Sequence, residues 1–124
     1  SKAVSPDWGT VHTFSIDVIV QLDVVDEFIK ASKKNNDTRC IQSLSEIHSS
    51  LVKILSDHDI EILSPSEGSL IKDQNDQIEI LSGPKGTENK PVKVKSISKT
   101  GYLCKNGGKG KITVLRKAEI ITVG

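Results

Sequence analysis

The run Asn106-Gly107-Gly108-Lys109-Gly110-Lys111 has the spacing most easily taken for chemistry, because glycines beside a lysine can cradle a phosphate. A phosphate loop needs Gly, four residues, then Gly-Lys-Ser/Thr opening a helix. Here Gly110-Lys111 is followed by Ile112, and Lys105 stands where the first glycine belongs. A strand pattern comes next, so Gly and Asn at this density specify a hairpin turn instead.

The remaining reactive side chains are scattered. Cys40 and Cys104 stand 64 positions apart without a Cys-x-x-Cys, and His12, His48 and His58 lack metal-ligand spacing. Two free thiols in a reducing compartment are expected. No Ser-His-Asp or Cys-His grouping has a local signature. Asp23, Asp26 and Glu27 read as a solvated helix face, with Lys30 in range of a pair worth about 0.2–0.5 kcal/mol. His48 reads as lying opposite the apolar face and His58 as sitting at a helix end. No enzyme, metal or cofactor follows from these residues.

Lys93 and Lys95 alternate with Val92 and Val94, which places both ammonium groups on one sheet face. Lys105, Lys109, Lys111, Arg116 and Lys117 add positive charge nearby, so a basic β domain binding RNA or DNA through phosphates is one reading. Tyr102 is the only aromatic residue there, which leaves no stacking platform for bases. A solvated lysine face is preferred to nucleic acid.

The elements that position these residues change character along the chain. At 124 residues with 35% hydrophobic and 3% aromatic content, the core must be built from Ile, Leu and Val, and oligomerisation would add to it. The net charge of +1 divides into −3 over residues 1–59 (6 basic, 9 acidic) and +4 over 60–124 (11 basic, 7 acidic). That asymmetry could help steer the basic half toward an acidic surface. No stretch suits a membrane span or a signal peptide.

Residues 1–10 read as a polar lead-in, the remnant of a preceding segment. Val11, Phe14, Val18, Leu22, Val25 and Ile29 recur at steps of three and four and predict a helix to about Lys34, its face widened by Val20, Val24 and Phe28. Asp37 or Thr38 is the expected N-cap of a second helix to about His58, with Cys40, Leu44, Ile47, Leu51, Ile54 and Leu55 on one face. Beyond Asp59 the pattern turns to short strands near 60–63, 78–81, 92–97, 102–103, 112–115 and 120–123, separated by Gly- and Asn-containing turns. Helices first and strands afterwards define an α+β chain: 11–58 a helical hairpin, 59–124 a small all-β domain.

In this order the chain resembles the GrpE family, the nucleotide exchange factors of DnaK-type heat-shock chaperones. Val18-Ile19-Val20-Gln21-Leu22-Asp23 is similar to the family's apolar first-helix stretch with its central Asp. Asp59-Ile60-Glu61-Ile62-Leu63 is similar to the strand that follows the second helix, with Asp59 in place of the usual glycine. Asp73-Gln74-Asn75-Asp76-Gln77-Ile78-Glu79 keeps the Asp and Asn of an Asp-Pro-Asn-x-His-x-Ala motif and loses its Pro, His and Ala, while Pro91 stands ten residues before Gly101 as the family's proline does. Gly101-Tyr102, Asn106-Gly107 and Leu115-Arg116-Lys117-Ala118-Glu119-Ile120 match the C-terminal signature, with extra residues around Gly108-Lys109-Gly110. Ser43 falls where glycine is frequent and Thr122 where Val or Ile is preferred.

The resemblance implies an antiparallel helical hairpin, half of a dimeric four-helix bundle, followed by a β-wing that presses on the chaperone's nucleotide-binding domain and releases ADP. It implies a homodimer joined through Leu22, Val25, Leu44, Ile47, Leu51 and Ile54. The implied chaperone-binding set is Ser98, Gly101, Tyr102, Asn106, Gly107, Lys111, Arg116 and Ala118. Arg116 and Lys111 are the preferred contacts, since charge is seldom needed inside a small sheet; for Tyr102 and Ala118, core packing and partner contact stay equally open. The implied compartment is bacterial cytoplasm or an organelle matrix. The departures at Ser43, Asp59 and Gln77 leave open a dimeric adaptor that keeps the fold without exchange.

Overall fold

The computed structural model describes residues 8–72, 75–107 and 110–124. The expectations placed on Asp73, Gln74, Gly108 and Lys109 lie outside the described residues. The first helix, α1, spans Trp8–Lys34 and the second, α2, Thr38–Ser56. α1 therefore starts inside the segment read as a lead-in. It ends where Asn36 adopts φ 52°, a left-handed turn that Asn tolerates better than most residues. Lys33 and Lys34 in its last turn favour the negative end of the helix dipole. Asp37 caps α2 as expected, accepting from the Cys40 N–H at 3.0 Å. No helix is long and apolar enough to cross a membrane among the described residues.

Among the described residues seven strands follow: β1 (Ile60–Leu63), β2 (Leu70–Ile71), β3 (Ile78–Ser82), β4 (Val92–Lys99), β5 (Gly101–Cys104), β6 (Thr113–Arg116) and β7 (Ala118–Val123). The very short β2 is the strand the sequence pattern did not announce. The backbone of the β region is one long antiparallel ribbon, β4 and β5 running against β6 and β7 from Lys93↔Val123 to Cys104↔Thr113. Register irregularities at Val94/Ser96, Ile97/Lys99 and Tyr102/Leu103 bend it, as bulges do. The bend divides the ribbon into two sheets, β1-β5-β6 and β2-β4-β7-β3, with β3 parallel to β7.

Packing does not divide at residue 59. Ile19, Leu22 and Leu55 from the helices share one core with Ile60, Tyr102 and Cys104 from the three-stranded sheet. The four-stranded sheet has its own core of Ile71, Ile80, Val92, Val94, Ala118 and Ile120. The hairpin and the first sheet thus form one packing unit, and the second sheet extends from it along the bent ribbon.

This arrangement corrects the proposed dimer face. Leu22 is fully buried in its own chain, in one core with Leu55, Ile60 and Tyr102, and Val25 is nearly so. Leu44 and Leu51 are half-buried, and Ile47 and Ile54 stay exposed. Val20, Val24 and Phe28, one turn apart along α1, face solvent, Phe28 at 58%.

Candidate functional site

Gly101, Tyr102, Arg116 and Ala118 come together at the bend of the ribbon. Gly101 opens β5, where an added Cβ would sit 2.5 Å from the Ala118 nitrogen, 2.7 Å from the Leu63 oxygen and 2.9 Å from the Arg116 oxygen. Three backbones meet there, so only a residue without a side chain fits. Tyr102 beside it is wholly buried, and the Arg116 guanidinium lies 5.5 Å from its ring centroid. Arg116 also donates to the Thr100 carbonyl at 3.1 Å from Nε and 2.7 Å from Nη2.

The same guanidinium reaches α1. Its Nη1 and Nη2 donate to the two carboxylate oxygens of Asp23 at 2.5 and 2.6 Å, a bidentate pair only about a quarter exposed. This corrects two expectations. Asp23 is not on a solvated helix face, and Arg116 is not a free surface contact, because the fold uses it to join helix and ribbon. Gly101, Tyr102 and Ala118 are likewise interior, which removes them as direct partner contacts. Of the two options left open for Tyr102 and Ala118, core packing is what is observed.

Asp26, one turn on from Asp23, accepts from His48 Nε2 of α2 at 3.2 Å. His48 therefore lies on the seam between the helices, correcting its placement opposite the apolar face. Burial lifts the Asp26 carboxyl above its ordinary 3.8, the His48 charge opposes this, and Asp23 adds to the rise. A raised folded pKa contributes stability that is fully present below the unfolded value and lost as pH rises through the folded one. Asp26→Asn cannot suffer that loss. Its melting temperature relative to wild type is expected to climb as pH rises from about 3 to 6, and a flat difference across that range would refute the assignment.

Burial, reinforced by Asp26 and Asp23 and opposed by Arg116, pushes the Tyr102 phenol far above its usual range. Its hydroxyl has no hydrogen-bond partner among the described residues. An unsatisfied buried hydroxyl costs about 1–3 kcal/mol, so Tyr102→Phe should stabilise the protein by about 1 kcal/mol in urea unfolding. A destabilisation of similar size would mean that the hydroxyl is bound.

Asp59, Lys105, Asn106, Gly107 and Lys111 lie at the end of the first sheet, whereas Ser98 is on β4. Asp59 adopts φ 61°, and Asn106 Nδ2 donates to its carboxylate at 2.9 Å while the Lys105 N–H bonds its carbonyl. Lys105 also pairs with Glu61 at 2.7 Å, which raises the lysine's pKa. Asn106 and Lys111 are exposed, Gly107 is buried and Ser98 is half-buried. Cys40 is exposed and Cys104 buried, both unpaired. Among the described residues no cluster of three His, Cys, Asp or Glu could hold a metal ion. What sequence reading missed was the junction itself. The available signal was an acid, Asp23, set inside the apolar run Val18–Val25. Compared with known proteins, the chain matches no family model, and no curated protein is similar to it.

Proposed function

We propose that the chain is a GrpE-type nucleotide exchange factor, a co-chaperone that opens the nucleotide-binding domain of a DnaK-type chaperone. The observation that carries the reading is the Asp23–Arg116 pair. Two positions that the resemblance picks out independently, 93 residues apart, meet in a bidentate contact above Tyr102 and Gly101. Asp59 adds support, because it holds a left-handed conformation at the position where the family carries glycine.

A factor of this kind performs no bond chemistry. Its work is done by binding one conformation of the partner better than another. A ribbon clamped to a helical hairpin suits this task, since a wedge that yields at its base transmits little strain. Lys111 is exposed and so is Asn106, which Asp59 orients, and both can meet the partner; the interior residues Gly101, Tyr102 and Ala118 keep the ribbon behind them rigid. If the factor prefers the open chaperone, ADP must weaken its binding by the same factor by which it weakens ADP binding, and such couplings are typically about 5–150-fold. Calorimetric titration of the isolated nucleotide-binding domain should therefore give tighter binding without ADP than with it. Equal affinity in both states would overturn the reading.

The homodimer belongs to the same proposal, with a revised face. Phe14, Val20, Val24 and Phe28 on α1 and Ile47 and Ile54 on α2 are the large apolar side chains the hairpin leaves exposed among the described residues. A stable interface buries more than about 1,000 Å² in total, which helices of this length can supply. Val24→Glu with Phe28→Glu should convert a dimer to a monomer in sedimentation velocity without lowering helix content. A wild-type chain that sediments as a monomer at high concentration would remove the dimer.

A further inference from the structure

The ladder along one edge of the long ribbon is interrupted. β7 and β6 flank residues 92–104 on one side. On the other side, β2 and the adjoining Gly68–Ser69 backbone pair with the ribbon as far as Val94, and β1 resumes at Gly101. Residues 95–99 have no ladder partner on that side among the described residues. The stretch is about 13 Å long at a rise of ~3.3 Å per residue. Across the opening stands α1, and a groove of about 390 Å³ lies between them, with Ile29, Lys33, Ser64, Ile97, Ser98 and Lys99 in its lining.

The charges of this groove divide unequally. All three of its acids are engaged within the protein: Asp23 by Arg116, Asp26 by His48, and Glu27 by Lys30 at 3.3 Å. Lys33 and Lys99 form no ion pair among the described residues. With Asp23 paired to Arg116 and Glu27 to Lys30, the two uncommitted cations Lys33 and Lys99 outnumber the one remaining acid, Asp26, whose partner His48 is charged only when protonated. Hydroxyls from Ser64, Ser98 and Thr100 and the apolar Ile29 and Ile97 complete the lining.

We propose that this groove binds an extended acidic peptide segment of a partner protein. The segment adds as a short strand along residues 95–99 and sets its carboxylates against Lys33 and Lys99. Main-chain pairing to an open edge supplies the affinity of such a site, and the side chains at alternate positions supply its selectivity. Carboxylate–ammonium hydrogen bonds are the stronger kind, so acidic residues are the ones selected. The site does not depend on the exchange reading, and its test needs no chaperone.

The experiment is an amide NMR titration of the whole chain with a blocked peptide of alternating aspartate and valine. A peptide with lysine in place of aspartate and free acetate serve as controls. Saturable shifts confined to residues 30–33 and 96–100 are expected, with no binding of the lysine peptide. Affinity should fall about tenfold or more in the Lys33→Glu/Lys99→Glu variant, as expected when two charge-assisted contacts become repulsive. Absence of saturable shifts, shifts centred on Lys93 and Lys95, or the same pattern with acetate alone would overturn the proposal. So would undiminished affinity in a double variant that melts like wild type.

Discussion

Gly101→Ala is expected to destabilise the protein by about 3 kcal/mol or more, the upper range for overpacking a close-packed interior. The new methyl would meet the Ala118 nitrogen, the Leu63 oxygen and the Arg116 oxygen, all within 2.9 Å. Each is a backbone atom, so no flexible side chain can swing away. Relief requires β1, β5 and the β6–β7 junction to move apart, at the place where the ribbon passes from one sheet to the other. For a chain of this size the melting temperature should fall by roughly 10 °C. The cause is steric, since Gly101 is not among the residues with positive φ. Chemical denaturation of Gly101→Ala within about 1 kcal/mol of wild type would show that the junction is looser than drawn.

Arg116→Ala is expected to cost about 3 kcal/mol, because truncating one partner of a buried ion pair strands the other. Asp23 would be left near Asp26 with no compensating charge, and the Thr100 carbonyl would lose its donor. The pair is about a quarter exposed, which places the effect at the low end of the range for buried pairs. Asp23→Asn combined with Arg116→Met should cost less than the sum of the single changes, with a coupling of about 1–3 kcal/mol in a double-mutant cycle. Arg116→Lys should rescue poorly, since an ammonium cannot reproduce the planar two-oxygen contact. Additive single effects would mean that helix and ribbon are not clamped through this pair.

The helices were legible because their apolar residues recur at helical spacing and Asp37 supplies a cap. Most strands were legible because β-branched runs stand between Gly- and Asn-rich turns. β2 was not, since two residues carry no periodicity. The division between the sheets was not legible either, because it depends on bulges that leave no compositional mark. Arg116 was misplaced by a sound general rule, that charge avoids small cores. The rule fails here because the compensating carboxylate comes from a helix 93 residues away, and pairing at that distance is set by topology. Leu22 and Val25 were assigned to a twin for a similar reason. Periodicity identifies an apolar face, but it does not say which neighbour covers that face.

The most direct measurement is the rate at which fluorescent ADP leaves a DnaK-type chaperone as this protein is added. A rigid, non-catalytic wedge predicts a release rate that rises with concentration to a plateau several-fold or more above the spontaneous rate, and falls back in Arg116→Ala under conditions where that variant remains folded. An unchanged release rate at concentrations where the two proteins demonstrably bind would contradict it.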